Sequence, residues 1–177
     1  MGCELLEIEE FIFEIEAKDL LKNLSQERRN KIVSSDVIIL PNNFSDIDEI
    51  NNQPFNEEAI HLHKILREKE IQSELLEDKK HRPVLELRGF EVILPPILLL
   101  ATDPIVQAFV INIVSNYIYD KIKKLSNKEK KQTPLELEVV KTSDEGNLVS
   151  IKYKGSAKDF EKISKSLKRN LGVDSEK

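Results

Sequence analysis

The stretch VILPPILLLATDPIVQAFVINIVSNYI, residues 92–118, has a single charged side chain, Asp103, in 27 residues. The Pro95-Pro96 pair ends a short apolar strand, because proline cannot donate a hydrogen bond to a sheet. The segment Thr102-Asp103-Pro104 then predicts a helix start, in which a capping oxygen precedes a proline in the first turn. The stretch therefore predicts strand residues followed by one helix over about 104–125.

The predicted helix is apolar around most of its circumference, which is typical of a helix buried inside a domain. Wrapped at about 100° per residue, its polar side chains fall on one narrow stripe. The stripe consists of Gln107, Asn112, Ser115, Asn116, Tyr119 and Lys123. Amides on an otherwise apolar helix suit an interface between two copies of a chain, since they can hydrogen-bond across it. We take Gln107, Asn112, Asn116 and Tyr119 as candidate interface residues.

The same stretch approaches the length of a membrane span. Its prolines, the break at Asp103 and the amides divide it into pieces too short or too polar to cross a bilayer. We therefore do not expect a membrane protein.

Apolar periodicity predicts further elements before this stretch. Strands are expected at Ile8–Ile15, Asp36–Leu40, Ile71–Glu77 and Val84–Leu94, and helices from Leu20 and over Pro54–Lys69. The continuous apolar run that ends at Leu40 is typical of a strand buried on both faces. Strands that alternate with helices favour an α/β sheet.

After a lysine-rich junction, Lys121–Gln132, the chain predicts a closing ββα unit. Two alternating segments, Leu135–Val139 and Val149–Tyr153, flank the polar turn Ser143–Asn147 and indicate a β-hairpin. A last helix follows from Phe160, with Gly172 as its expected end. The fold class is therefore α/β, with mixed α+β as the alternative, built on a central mixed sheet. We expect a single domain over residues 1–177, with 133–172 as a candidate subdomain.

Composition narrows the class of protein. The 177 residues suit one globular domain, and the net charge of −5 hides an acidic part (residues 1–120) and a basic part (residues 121–177). The single cysteine, Cys3, suits a reducing compartment, and the acidic start does not resemble a secretory leader. These features predict a cytoplasmic protein.

The loop Asn42–Glu49 is the candidate ligand site, because ligands of open α/β sheets collect at the carboxyl ends of strands. Its candidate binding residues are Asn42, Asn43, Asp46 and Asp48. The two aspartates could bind a hard cation, or one could act as a general base. Asx turns explain the same composition, and the loop lacks the glycine and distal glutamate of a calcium loop.

The basic C-terminal third offers a surface for nucleic acid. Lys158, Lys162, Lys165 and Arg169 fall along one helical face. The absence of interleaved aromatic residues and the acidic charge of the whole chain argue against nucleic acid as the partner.

No metal or cofactor is predicted. His61 and His63 diverge on a helix and cannot chelate one ion together. No glycine-rich nucleotide loop or nucleophile motif occurs in the sequence.

Three segments resemble parts of short prokaryotic α/β proteins that have no assigned activity. They are LPPILLLATDPI (94–105), NYIYDKIK (116–123) and KYKGSAKDFEKI (152–163). The resemblance implies a prokaryotic accessory protein and no residue roles. The concentration of apolar residues in positions 92–118, combined with the missing catalytic motifs, predicts a non-enzymatic interaction protein that associates with itself or another protein. The alternatives are a small-ligand-binding or hydrolytic domain using the Asn42–Glu49 loop, and a nucleic-acid-binding protein.

Overall fold

The structure, a computed structural model, describes residues 7–16, 19–44, 54–77, 84–85, 91–142 and 147–170. Its strands are β1 Glu7–Glu16, β2 Val37–Ile39, β3 Phe55–Asn56, β4 Ser73–Leu75, β5 Val84–Leu85, β6 Val92–Ile93, β7 Ile97–Leu99, β8 Pro134–Thr142 and β9 Asn147–Ser156. Its helices are α1 Gln26–Val33, α2 Glu57–Glu68, α3 Pro104–Lys123, α4 Asn127–Gln132 and α5 Phe160–Asn170, with 3₁₀ turns at Asp19–Leu21 and Ala157–Asp159.

Seven strands form one mixed sheet in the order β1-β9-β8-β7-β2-β4, and β6 pairs with β8 beside this path. Strand β2 is parallel to β4 and antiparallel to β7, whereas β7 is parallel to β8. The hairpin of β8 and β9 lies inside the sheet, between β7 and β1. This arrangement confirms the α/β class and the central mixed sheet.

Helices cover the sheet on both sides. One core joins alternate sheet residues to α2, α3 and the start of α5, and it includes Val37, Ile39, Leu66, Val114 and Phe160. The other joins the opposite sheet face to α1 and the first 3₁₀ turn, and it includes Leu20, Ile32, Ile38, Leu98 and Val140. Because β2 contributes to both cores, its three residues are all buried, as its continuous apolar run predicts.

Helix starts follow their capping chemistry. The Asp103 carboxylate accepts a hydrogen bond from the Ile105 amide at 2.8 Å, and Pro104 occupies the first turn, so α3 begins where the sequence predicts. Buried Asn56 caps α2 through the Ala59 amide and donates its side-chain amide to the Ile93 carbonyl at 3.1 Å. This second bond ties α2 to the segment that leads into β7.

Three local predictions differ from the structure. The segment Val84–Leu94, expected as one strand, contains the short strands β5 and β6, which pair with β3 and β8 respectively. The expected helix from Leu20 is a 3₁₀ turn followed by the separate helix α1. The lysine-rich junction contains α4, whose capping box joins Ser126 and Glu129. The expected hairpin turn, except Asn147, and Gly172 lie outside the described residues.

Candidate functional site

Helix α3 packs on the sheet between α2 and α5. Its buried side chains are Val110, Ile111, Ile113, Val114, Ile118 and Ile122. Towards α5, the Ser164 hydroxyl donates a hydrogen bond to the Ser115 hydroxyl at 3.2 Å. These contacts fix which side of α3 faces inward.

A polar cluster fastens α3 to the first turn of α2. The side chain of Glu58 is 7% exposed, and its Oε1 lies 2.5 Å from Nζ of Lys121. The Tyr117 hydroxyl donates to Oε2 of the same carboxylate, and Nζ of Lys121 lies 5.2 Å from the centre of the Tyr117 ring. The buried carboxylate is therefore satisfied by an ammonium and a phenol from one turn of α3. Sequence periodicity did not identify this cluster, because Glu58 lies 59 and 63 residues before Tyr117 and Lys121.

The cluster also holds the phenol in its neutral form. Burial, followed by the hydrogen bond to Glu58 and the charge of that carboxylate, raises the pKa of Tyr117 well above its usual value of 10.0. The phenol therefore remains a hydrogen-bond donor to Glu58 throughout the neutral pH range.

The opposite side of α3 faces solvent. Ile105 is 78% exposed, Phe109 46% and Tyr119 50%, and Asn112 and Asn116 between them are also exposed. In the described part of the chain, only one other large hydrophobic side chain, Val33 at 65%, is comparably exposed. Singly exposed apolar residues are ordinary, whereas a row of them on one helix is a candidate interaction surface. We refer to Ile105, Phe109, Asn112, Asn116 and Tyr119 as the α3 face.

Residues of the α3 face are separated by 4, 3, 4 and 3 positions. This is the spacing of the contact positions of a coiled coil, in which one stripe of a helix stays against a partner helix. At a rise of about 1.5 Å per residue, the face is about 21 Å long. Its geometry therefore suits another helix laid along it.

The structure places the four predicted interface residues in two environments. Asn112, Asn116 and Tyr119 lie on the α3 face, whereas Gln107 is partly buried and donates its side-chain amide to the Ala101 carbonyl at 2.7 Å. Ile105 and Phe109 lie outside the predicted polar stripe, in the apolar part of the helix that the sequence predicts to be buried, but both are exposed. The heptad spacing of these two residues relative to Asn112 and Asn116 was the sequence pattern that could have placed them on the same face.

The ends of α3 have opposite charge. Exposed Asp103 precedes the helix, and exposed Lys123 and Lys124 end it. The acidic residue lies at the positive end of the helix dipole and the lysines lie at its negative end, where each charge stabilises the helix.

The Asn42–Glu49 loop is described only in part. Asn42 and Asn43 are exposed, and Asp46 and Asp48 lie outside the described residues. Asn42 lines a cavity of about 130 Å³ together with Pro96, Glu136, Glu138 and Lys152. Ligand pockets commonly measure about 300–1,000 Å³, so this cavity suits only a very small ligand.

Both carboxylates of this cavity already have partners. Glu138 accepts a hydrogen bond from the Ser150 hydroxyl at 2.6 Å and lies 3.8 Å from Nζ of Lys152. Glu136 lies 2.7 Å from Nζ of Lys154, and the hydrogen bond between them raises the pKa of that ammonium. Each carboxylate is therefore paired with a lysine of β9.

The basic residues near α5 lie in solvent. Lys158, Lys162, Lys165 and Arg169 are all exposed, and Lys162 lies 3.6 Å from Asp159. Among the described side chains, no group of three or more histidine, cysteine, aspartate or glutamate residues is placed to hold a metal ion. None of the described helices combines the length and the apolar character that a bilayer span requires.

No protein-family model matches this chain, and no curated protein or solved structure matches it.

Proposed function

We propose that this protein is a non-enzymatic interaction protein that associates with a second copy of itself through the α3 face. The observation behind the proposal is the exposure of Ile105, Phe109 and Tyr119 in one heptad-spaced row with Asn112 and Asn116. Covering these side chains removes apolar area from water at about 25 cal/mol per Å². We assign the protein to the cytoplasm, where its cysteine remains reduced.

A two-fold axis level with Val114 pairs four of the five residues of the α3 face with each other. It leaves Ile105 opposite Lys123, whose aliphatic stem can pack against it. In an antiparallel pair centred on Val114, Phe109 is opposite Tyr119 of the second copy, and Asn112 is opposite Asn116. Aromatic side chains then meet aromatic side chains, and amides can donate to and accept from amides. Self-complementarity of this kind is what a symmetric dimer interface requires.

Charge selects the antiparallel orientation over the parallel one. Antiparallel helices bring Asp103 of one copy to the Lys123–Lys124 end of the other, and their helix dipoles oppose each other. Parallel helices would bring the lysine ends together, and like charges in close contact disfavour that arrangement. The electrostatic terms therefore reinforce the side-chain pairing.

The size of the surface limits the affinity. One helix face about 21 Å long and about 10 Å wide covers about 210 Å², which is well below the roughly 800 Å² per partner of a standard interface. We therefore expect a weak, reversible dimer.

Sedimentation velocity across a concentration series tests the proposal. The wild-type chain is expected to shift from monomer towards dimer as concentration rises, and Phe109→Glu is expected to remain monomeric. Val33→Glu is the matched control, because it also places a carboxylate at an exposed apolar position, outside the α3 face. A wild-type chain that is monomeric at its highest soluble concentration, or a Val33→Glu variant as impaired as Phe109→Glu, contradicts the proposal.

Orientation is tested by disulfide trapping in a Cys3→Ser background. A mixture of Asn112→Cys and Asn116→Cys chains is expected to cross-link between the two variants, because antiparallel pairing places these positions opposite each other. Each variant alone is expected to cross-link poorly. Efficient cross-linking of Asn112→Cys with itself would instead indicate parallel helices.

A small-ligand function at the Asn42–Glu49 loop is the second candidate, because Asn42 lines a cavity that contains two carboxylates. Thermal-shift screening against divalent cations and small amines tests it. A stabilising ligand whose effect is lost in Asn42→Ala would support this site. A ligand effect that survives both that substitution and the Asp46→Ala/Asp48→Ala pair would exclude it.

A further inference from the structure

Strand β1 forms one edge of the seven-stranded sheet. It is 10 residues long, and β9 is the only described strand that pairs with it. At about 3.4 Å per residue, β1 spans about 34 Å. An edge strand presents outward-pointing backbone N–H and C=O groups along its length, and these form a template for another strand. We refer to this side of β1 as the β1 edge.

Charges alternate across the strands that lead to the β1 edge. Lys154 is the register partner of Glu136 on β8 and of Glu7 on β1, and Lys152 is the partner of Glu138 and of Glu9. On the β8 side, Nζ of Lys154 lies 2.7 Å from Glu136, and Nζ of Lys152 lies 3.8 Å from Glu138. Each row therefore has two acidic positions and one basic position, and it ends on an acidic position at the β1 edge.

A further strand would occupy the next position of each row. A lysine or arginine there would stand opposite Glu7 or Glu9, and opposite charges directly across a ladder stabilise the pair by about 0.2–1 kcal/mol. The register position between these two residues is Ile8, so an apolar residue suits the middle of the added segment. The complementary sequence is a basic-apolar-basic alternation.

A second copy of β1 does not meet this requirement. The sequence of β1, EIEEFIFEIE, contains no lysine or arginine, so no register of a second β1 strand places a basic residue opposite Glu7 or Glu9. The acidic positions therefore favour a basic segment over a second copy of β1.

We propose that the β1 edge binds an extended basic segment of another protein by strand addition, with alternate lysine or arginine residues opposite Glu7 and Glu9. Main-chain hydrogen bonds provide the affinity of such a complex, and the alternate side chains provide its specificity. This surface involves different residues from the α3 face, so the two proposals succeed or fail separately.

Fluorescence anisotropy with a labelled decapeptide of alternating valine and lysine tests the proposal. The control peptides replace lysine with glutamate, or keep lysine and methylate alternate backbone nitrogens so that half of the donors are lost. The full chain is expected to bind the first peptide and neither control. Binding of the methylated peptide with equal affinity would overturn strand addition in favour of general charge attraction.

Protein variants localise the binding. Glu7→Lys/Glu9→Lys is expected to weaken binding by about tenfold, since two favourable pairs become two repulsive ones. Glu27→Lys/Glu68→Lys changes the net charge equally at exposed helical positions and is expected to have little effect. Circular dichroism confirms that each variant is folded. Equal weakening by both pairs, or no binding of the valine-lysine peptide even at low salt, overturns the proposal.

Discussion

The Glu58–Tyr117–Lys121 cluster predicts the effect of Lys121→Met on stability. The substitution keeps the length of the side chain and removes its charge. Among the described residues, the carboxylate of Glu58, 7% exposed, then keeps the phenol of Tyr117 as its remaining partner. Breaking a fully buried ion pair costs about 3–5 kcal/mol. The side chain of Lys121 is 32% exposed, so solvent screens part of the interaction, and we expect a loss of about 2 kcal/mol.

The assay is urea unfolding at neutral pH followed by far-ultraviolet circular dichroism. Lys64→Met is the matched control, because it removes an exposed ammonium 3.9 Å from Glu68 on α2. We expect the control to change the free energy of unfolding by less than about 0.5 kcal/mol. For a domain of this size, the loss in Lys121→Met corresponds to a decrease in Tm of about 4–8 °C.

A double-mutant cycle separates the buried charge from the packing of the aliphatic chain. In Glu58→Gln/Lys121→Met, the amide can still accept a hydrogen bond from Tyr117, and no charge is left buried without a counter-charge. We expect the double variant to be more stable than Lys121→Met alone by about 1 kcal/mol. The Glu58–Lys121 pair does not stabilise the packing of α3 on α2 if Lys121→Met is as stable as Lys64→Met. The same conclusion follows if the effects of Glu58→Gln and Lys121→Met on the free energy of unfolding are simply additive.

Three further predictions concern backbone geometry and titration. Glu70, just beyond α2, has φ 63°, which lies in the left-handed region. Glu70→Gly should therefore increase the free energy of unfolding by about 1 kcal/mol. A decrease measured by urea unfolding would contradict this explanation. A Cβ at Gly155 would overlap the Tyr153 hydroxyl and lie 2.6 Å from Cζ of its ring, so Gly155→Ala should cost about 1–3 kcal/mol, with partial recovery when Tyr153→Leu is added. Burial, assisted by the charge of Asp159, raises the pKa of Tyr153 from 10.0 to about 12, which favours the neutral phenol in the folded state. The stability that the raised pKa of Tyr153 contributes is therefore complete below pH 10 and is lost as the pH rises to 12. Tyr153→Phe should flatten the decline in the free energy of unfolding over that interval. An unchanged pH profile would refute the assignment.

Local chemistry explains the predictions that the structure confirms. The Asp103 cap with Pro104 set the start of α3 because capping involves only neighbouring residues. The sequence patterns of β2, β8 and β9 were sufficient to predict these strands. A strand buried on both faces has a continuous apolar run, and a strand buried on one face alternates apolar and polar residues. The segment Val84–Leu94 was predicted poorly because its two short strands depend on partners elsewhere in the chain, β3 and β8.

The sequence by itself determined that this chain has an α/β fold with one long apolar helix that carries a row of amides. Only the tertiary structure decided which side of that helix remains uncovered. Ile105 and Val110 are equally apolar in sequence, yet one is 78% exposed and the other is fully buried, because the sheet, α2 and α5 cover one side of α3 only. The position of Glu58 beside Lys121 was likewise decided by packing, because a hydrogen bond between residues 63 positions apart produces no periodic pattern in the sequence.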